Sequence, residues 1–131
     1  MTRQRFEPDD PREWLNRARG NLARSKVRIS ESYLEDLCFD AQQAAEKAIK
    51  GVLIHRGIDF PYIHDLNKLL LLLERAGEQI PEAVRAAKDL SQFAVVTRYP
   101  WFGEPVTEQE YERAVKIADT VFRWAEGRIA G

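Results

Sequence analysis

The stretch HRGIDFPYIHD, at residues 55–65, holds an arginine and both histidines of the chain. An imidazole exchanges its proton near neutral pH, so His64 has the chemistry of a general acid or base. The guanidinium of Arg56 presents a planar fork of donors that suits a phosphate. Gly57 and Pro61 lie between the two residues, and both types punctuate helices. The stretch is therefore either an acid–base and phosphate-binding pair or the turn between two helices.

Both residues also have a purely structural explanation. His64 is followed by Asp65 and an apolar helical pattern, so a histidine that caps the helix or fixes the loop accounts for it without any substrate. Arg56 follows the end of a long helical pattern, where a cation interacts favourably with the helix dipole. Only the elements around the stretch can decide between these alternatives.

The length and composition of the chain predict a single domain of ordinary size that spans residues 1–131. Twenty Lys and Arg residues against 21 Asp and Glu residues leave a net charge of -1, so any anion site must be local. Cys38 is the single cysteine and is expected in the core, which excludes a disulfide framework and a cysteine zinc site. Two histidines without acidic residues at ligand spacing indicate no metal site, and no cofactor is expected.

The N-terminus MTRQRFEPDD has no apolar segment of signal-peptide length. The longest apolar run, residues 69–73, is far shorter than the ~20 residues that a membrane span needs. We therefore expect a soluble cytoplasmic protein without membrane contact.

Helix signals recur along the chain, and no segment alternates with the period of a strand. The predicted helix starts are Asp10 with Pro11 and Glu13, Ser32 with Glu35, Asp65, Pro81, and Thr107 with Glu110. The first apolar pattern is predicted to continue to Ile29, and Gly57 and Gly77 are predicted helix ends. Four main helices and one short helix predict an all-α, antiparallel up-and-down helical bundle.

The second helix carries an apolar arc that covers about half of its circumference, more than one core contact requires. The residues of this arc are Cys38, Phe39, Ala41, Ala44, Ala45, Ala48, Ile49 and Val52. Either the helix is central and flanked on two sides, or part of the arc packs on a second subunit in a homodimer. Lys47 and Lys50 lie off the arc and are predicted to be solvated.

Three segments together resemble the HEPN domain of prokaryotic proteins: FDAQQAAEKAIKGVLIHRG, HDLNKLL and RYPWFGEPVTEQEYERAVKIADTVFRWA. The resemblance extends over residues 14–124. It implies an all-α bundle that is usually a homodimer. Many members are encoded beside a small nucleotidyltransferase, and their activities range from metal-independent RNase to nucleotide or RNA binding without known catalysis. Arg98 and Tyr99 match the recurrent arginine–tyrosine pair of the family, where Tyr99 either stacks on a base or plugs the end of the bundle.

The ribonuclease members carry an arginine and a histidine at a defined short spacing. Cleavage without a metal needs a base for the 2′-hydroxyl proton and an acid for the leaving 5′-oxygen, while arginine stabilises the charge on the phosphate oxygens. Here residues 57–63 separate Arg56 from His64, one residue more than that motif allows, and no histidine follows Arg98. The spacing favours a binding protein over an enzyme.

Three functions stay open. The first is a HEPN partner of a small nucleotidyltransferase in a toxin–antitoxin-like system, with a nucleotide- or RNA-binding cleft at Arg56, His64, Arg98 and Tyr99. The second is a metal-independent ribonuclease toxin in which Arg56 and His64 are catalytic. The third is a scaffold for the partner alone. We expect the four residues to meet at one end of the bundle.

Overall fold

The computed structural model describes residues 3–94 and 104–130, and these residues form helices with no strand among them. The elements are α1 (Pro11–Ser25), α2 (Leu34–His55), α3 (Leu66–Arg75), α4 (Glu82–Arg85), a 3-10 helix (Ala86–Phe93) and α5 (Glu108–Ala130). The all-α prediction is confirmed. None of these described helices combines the length and the apolar character needed to cross a bilayer.

Several helix boundaries follow from the residues that the sequence marks. Asp65 caps α3 by accepting a hydrogen bond from the backbone N–H of Lys68 at 3.2 Å. Thr107 and Glu110 form a reciprocal capping box at the start of α5, with both hydrogen bonds at 3.1 Å. Gly57 follows α2 with a φ of 69°, a conformation that glycine adopts without strain. Local chemistry therefore sets these ends.

The first loop differs from the prediction. α1 ends at Ser25, so Ile29 lies beyond the helix and is 55% exposed. The residue at the N-cap of α2 is Tyr33, and no side chain caps that helix. The predicted capping box of Ser32 and Glu35 is wrong because Ser32 precedes the N-cap by one residue and cannot reach the first free N–H groups.

The predicted fourth helix is a single α-helical turn followed by a 3-10 helix. Its buried apolar residues are Val84, Ala87, Leu90 and Phe93, and each lies three residues after the last. A 3-10 helix has three residues per turn, so this spacing places all four on one face. Pro81 precedes this segment at the N-cap and not at the first helical position as predicted.

The second helix is the centre of the fold, packed against α1, α5, α3 and the 3-10 helix. Apart from the half-buried Phe39, every residue of the apolar arc is 0% exposed within one chain. The central-helix interpretation is confirmed. Elements of the same chain cover the seven fully buried residues, so within the arc only Phe39 keeps surface that could contact a second subunit. Contact of the arc with a second subunit stays a prediction for that residue alone.

Helix α1 runs antiparallel to both α2 and α5. Gly51, near the end of α2, lies so close to α1 and α5 that an added Cβ would stand 3.3 Å from carbons of Trp14 and Ile129. At the opposite end, the hydroxyl of Tyr111 donates a hydrogen bond to the carbonyl of Ser25. The segment between α2 and α5 therefore returns the chain to the end where α2 also began.

Candidate functional site

A line of polar side chains runs along α2 beside its apolar arc. Gln42, Glu46 and Lys50 are spaced four residues apart, so each lies about 40° around the helix from the last. Gln42, Glu46 and Lys50 are 0%, 4% and 3% exposed, respectively. Charged residues are rarely this buried unless they are paired. The contacts that these three side chains make define the candidate site.

Glu46 accepts hydrogen bonds from three other side chains. Its Oε1 accepts hydrogen bonds from Gln42 Nε2 at 2.8 Å and from His64 Nδ1 at 2.9 Å, and its Oε2 accepts one from Lys50 Nζ at 3.0 Å. Burial raises the pKa of the Glu46 carboxyl, but the three hydrogen bonds and the charge of Lys50 outweigh burial and lower it overall. Glu46 is therefore an ionised carboxylate in the interior.

The loop between α2 and α3 brings His64 back to this carboxylate. It starts at Gly57 and ends at Asp65, the N-cap of α3. Lys50 Nζ lies 5.6 Å from the ring centroid of Phe60 and 5.4 Å from that of Tyr62. Both distances suit a cation–π interaction, so the buried pair of α2 also fixes the conformation of the loop.

His64 and Tyr62 form the exposed part of the cluster. The side chain of His64 is 40% exposed, whereas Tyr62 is 89% exposed. Their rings meet edge to face with centroids 5.5 Å apart. The cluster thus presents an imidazole and a free aromatic face side by side, above a buried ion pair.

The contact with Glu46 determines what His64 can do. An ionised carboxylate only accepts hydrogen bonds, so His64 Nδ1 must be the donor in this pair. The other ring nitrogen, Nε2, makes no hydrogen bond to any residue in the described part of the chain. A neutral imidazole held in this way presents Nε2 as a proton acceptor, and a protonated one presents it as a donor.

Arg56 belongs to a different cluster. Its guanidinium pairs with Glu78 and donates to the carbonyl of Ala76 at 3.0 Å. The side chain of Glu78 is 1% exposed and also pairs with Arg128 of α5. Arg56 and His64 bind different carboxylates, and no contact within the described residues joins them. In this structure Arg56 ties the end of α2 to the end of α5.

Comparison with known proteins gives the chain a family. The family model of the HEPN domain matches residues 11–128 of this chain. The chain belongs to the HEPN family. Its HEPN fold is similar to the crystal structure of ST0689, described as an archaeal HEPN homologue, with a TM-score of 0.73. The two sequences are 28% identical, and the match covers 92% of this chain and 98% of that one.

Two further relatives are similar over most of their length. The crystal structure of TT1696 from Thermus thermophilus has a TM-score of 0.73 and 32% identity, covering 90% of this HEPN chain and 97% of that chain. The protein called "Putative toxin MJ1304" of Methanocaldococcus jannaschii is 26% identical over an alignment of 122 residues, and the match covers 82% of this chain and 80% of that protein.

The structure describes two of the four residues that were predicted for the HEPN site. His64 lies in an exposed cluster, and Arg56 lies in the Glu78 cluster. Arg98 and Tyr99 lie outside the described residues. Their expected meeting with Arg56 and His64 at one end of the HEPN bundle stays a prediction.

Three residues of the cluster around Glu46 were not predicted as site residues from the HEPN sequence: Glu46, Lys50 and Tyr62. The prediction that Lys50 is solvated is wrong, because its ammonium is buried against Glu46 and the loop. The four-residue spacing of Gln42, Glu46 and Lys50 was an available signal, since it places the three on adjoining turns of α2. Tyr62 gave no such signal, because only the path of the loop puts it beside His64.

Proposed function

We propose that the chain is the HEPN component of a toxin–antitoxin-like pair and binds single-stranded RNA or a nucleotide at the surface formed by Tyr62 and His64. The observation that carries this proposal is the exposed Tyr62–His64 pair above the buried Glu46–Lys50 pair. An aromatic face stacks on any base, and a histidine nitrogen can donate to a phosphate.

The toxin part of the proposal rests on similarity to the protein called "Putative toxin MJ1304". The partner we propose is a small nucleotidyltransferase, and the chain is proposed to act as a homodimer. Because the α2 arc is largely buried within one chain, the proposed dimer interface uses surface outside its fully buried residues. Purification of the chain with its neighbouring gene product, followed by measurement of the mass of the complex, would test both statements.

Arg98 and Tyr99 are proposed to complete the binding surface with a second guanidinium and a second aromatic ring. Arg56 stays a proposed member of the site, although Glu78 already holds its guanidinium. The variant Arg56→Gln separates the two roles of this residue. A site role predicts weaker RNA binding by the folded variant, whereas a role as a tie alone predicts lower stability at unchanged RNA affinity.

The binding test uses a labelled single-stranded oligonucleotide and fluorescence anisotropy. Tyr62→Ala should weaken binding by about tenfold or more, because stacking contributes ~1–3 kcal/mol per base. Tyr33→Ala is the matched control, since Tyr33 is also an exposed tyrosine, 77% exposed, at the start of α2. Equal affinities of the two variants would reject the Tyr62 surface.

A ribonuclease is the second candidate, favoured by the contact between His64 Nδ1 and Glu46 at 2.9 Å. A carboxylate that orients an imidazole is a recurrent arrangement in acid–base catalysis. The test incubates purified protein with cellular RNA in the presence of EDTA. His64→Ala should abolish cleavage, and His55→Ala, the exposed second histidine, should not. RNA that stays intact with the unmodified protein would reject the enzyme and leave RNA binding unaffected.

A further inference from the structure

A second candidate site lies where the N-terminal segment crosses α1, beside Trp14, whose ring meets Phe60 edge to face. The segment is held by hydrogen bonds to α1: Phe6 N donates to Glu13 at 2.9 Å, and Trp14 Nε1 donates to the carbonyl of Pro8 at 2.8 Å. Between the segment, α1 and α2 is an open pocket of about 420 Å³. We call it the N-terminal pocket.

The charges of the N-terminal pocket are unbalanced. Arg5, Arg17 and Lys47 line it together with a single carboxylate, Glu13. Glu13 already accepts from Arg17 Nε at 2.8 Å as well as from the backbone N–H of Phe6. One carboxylate cannot balance three cations, so the lining of the pocket keeps an excess of positive charge.

Lys47 differs from Lys50, one turn further along α2. Lys50 is paired with Glu46, whereas Lys47 Nζ donates at 2.8 Å to the neutral side-chain oxygen of Asn21. No ion pair of Lys47 occurs among the described residues. Burial lowers the pKa of the Lys47 ammonium, and the charges of Arg24 and Arg17 lower it further against the opposing effect of acidic neighbours. A half-buried cation that makes no direct ion pair favours the binding of an anion.

The lining of the pocket also includes three apolar residues, Phe6, Pro8 and Trp14. The indole N–H of Trp14 is already bound to the Pro8 carbonyl, so Trp14 offers the pocket apolar ring surface and no donor. The volume is within the range of ~300–1,000 Å³ that is usual for small-molecule sites. Aromatic residues and cations that line the same pocket match a flat ring joined to an anionic group.

We propose that the N-terminal pocket binds a ligand that carries a phosphate beside a flat ring, with Lys47 and Arg5 at the phosphate and Trp14 at the ring. Such a ligand is either a free nucleotide or one unit of a nucleic acid strand. None of the lining residues belongs to the Tyr62–His64 surface, so failure of binding here would leave the proposed function unaffected.

The test uses the fluorescence of Trp14 in the variant Trp101→Phe/Trp124→Phe, which keeps Trp14 as the single tryptophan of the three in the chain. The ligands are 5′-AMP, adenosine and inorganic phosphate. We expect 5′-AMP to quench Trp14 and to bind about tenfold or more tightly than adenosine or phosphate, because only 5′-AMP can engage both the cations and Trp14. Equal binding of 5′-AMP and adenosine would overturn the proposal.

Variants of the cations complete the test. Lys47→Met should weaken 5′-AMP binding by about tenfold, since it removes a charged hydrogen bond but keeps the length of the side chain. Lys88→Met, at an exposed lysine on the 3-10 helix, should bind as the parent does. Arg5→Gln, at an exposed residue, should also weaken binding and serves if Lys47→Met fails to fold. Unchanged affinity in the folded cation variants would overturn the proposal.

A competition experiment identifies the source of the ligand. Displacement of 5′-AMP by oligoadenylate would support the pocket as a subsite for a strand. Binding of 5′-AMP that oligoadenylate does not displace would support a free nucleotide.

Discussion

Lys50 illustrates how a charged residue can belong to the interior of a small helical domain. Its ammonium pairs with Glu46 and lies beside the rings of Phe60 and Tyr62. Such a pair contributes little net stability compared with apolar residues of the same volume, but removing one partner leaves the other charge buried and unpaired. The value of the pair lies in the geometry that it imposes on His64 and on the loop.

The variant Glu46→Gln should therefore be strongly destabilised, by about 3–5 kcal/mol, because Lys50 keeps a buried charge without a counter-ion. The double variant Glu46→Gln/Lys50→Met should regain part of that loss, since both charges are then absent. Urea unfolding followed by circular dichroism measures both. Lys68→Met, at an exposed lysine of α3, is the control, and a similar loss there and in Glu46→Gln would contradict the pairing.

The pH dependence of stability follows from the same carboxylate. The folded state lowers the pKa of Glu46, so Glu46 contributes stability that is fully present above the unfolded pKa, near ~4.3. That contribution should disappear as the pH falls through the lower pKa of the folded state. The difference in unfolding free energy between the parent and Glu46→Gln isolates this effect from other carboxylates. A difference that does not shrink as the pH falls through this range would refute the assignment.

At the scale of elements, the two capping boxes suggested by the sequence have opposite outcomes. Thr107 and Glu110 make both reciprocal hydrogen bonds at the start of α5. Ser32 and Glu35 make neither, because α2 begins after Tyr33. The pattern S/T-x-x-E is necessary for a capping box but does not determine where the helix starts.

Substitution of the two caps by alanine should reproduce this contrast. Thr107→Ala should lower the unfolding free energy by about 1 kcal/mol, because it leaves the N–H of Glu110 without its partner. Ser32→Ala should change the free energy by less than about 0.5 kcal/mol, as is usual for surface positions without such a role. Thermal or urea unfolding measures both variants. A larger loss for Ser32→Ala than for Thr107→Ala would contradict the observed boundaries.

At the scale of the whole molecule, α2 is enclosed by its own chain. Ala45 is 0% exposed in the monomer, and small side chains of this kind permit the close approach of α1 and α5. A dimer that used this face would have to displace those helices. Self-association of the folded chain therefore has to use residues other than Ala45 and its fully buried neighbours on α2.

Ala45→Arg should abolish the fold itself, because an arginine cannot be accommodated in a closely packed core. We expect loss of helical circular dichroism and not a folded monomer. Ala23→Arg is the matched control, since Ala23 is an exposed position of α1, and it should keep both the fold and the mass of the parent by analytical ultracentrifugation. Recovery of folded, monomeric Ala45→Arg from a dimeric parent would restore the dimer interpretation of this face.

The sequence by itself determined the helical class, the helix ends at Gly57, Asp65 and Thr107, and the apolar faces. These features depend on residues three or four apart, which are neighbours in any helix. It also contained the three-residue spacing of Val84, Ala87, Leu90 and Phe93, which is typical of a 3-10 helix and not of the α-helix predicted after Pro81.

Only the tertiary structure decided which charged residues meet. His64 reaches Glu46 across 18 positions of sequence, and Arg56 reaches Glu78 across 22. Local patterns cannot encode these pairs, because they depend on how the loop after α2 folds back and on where α3 ends. For the same physical reason, the short spacing of Arg56 and His64 along the chain suggested one site, whereas the fold assigns the two residues to separate carboxylates.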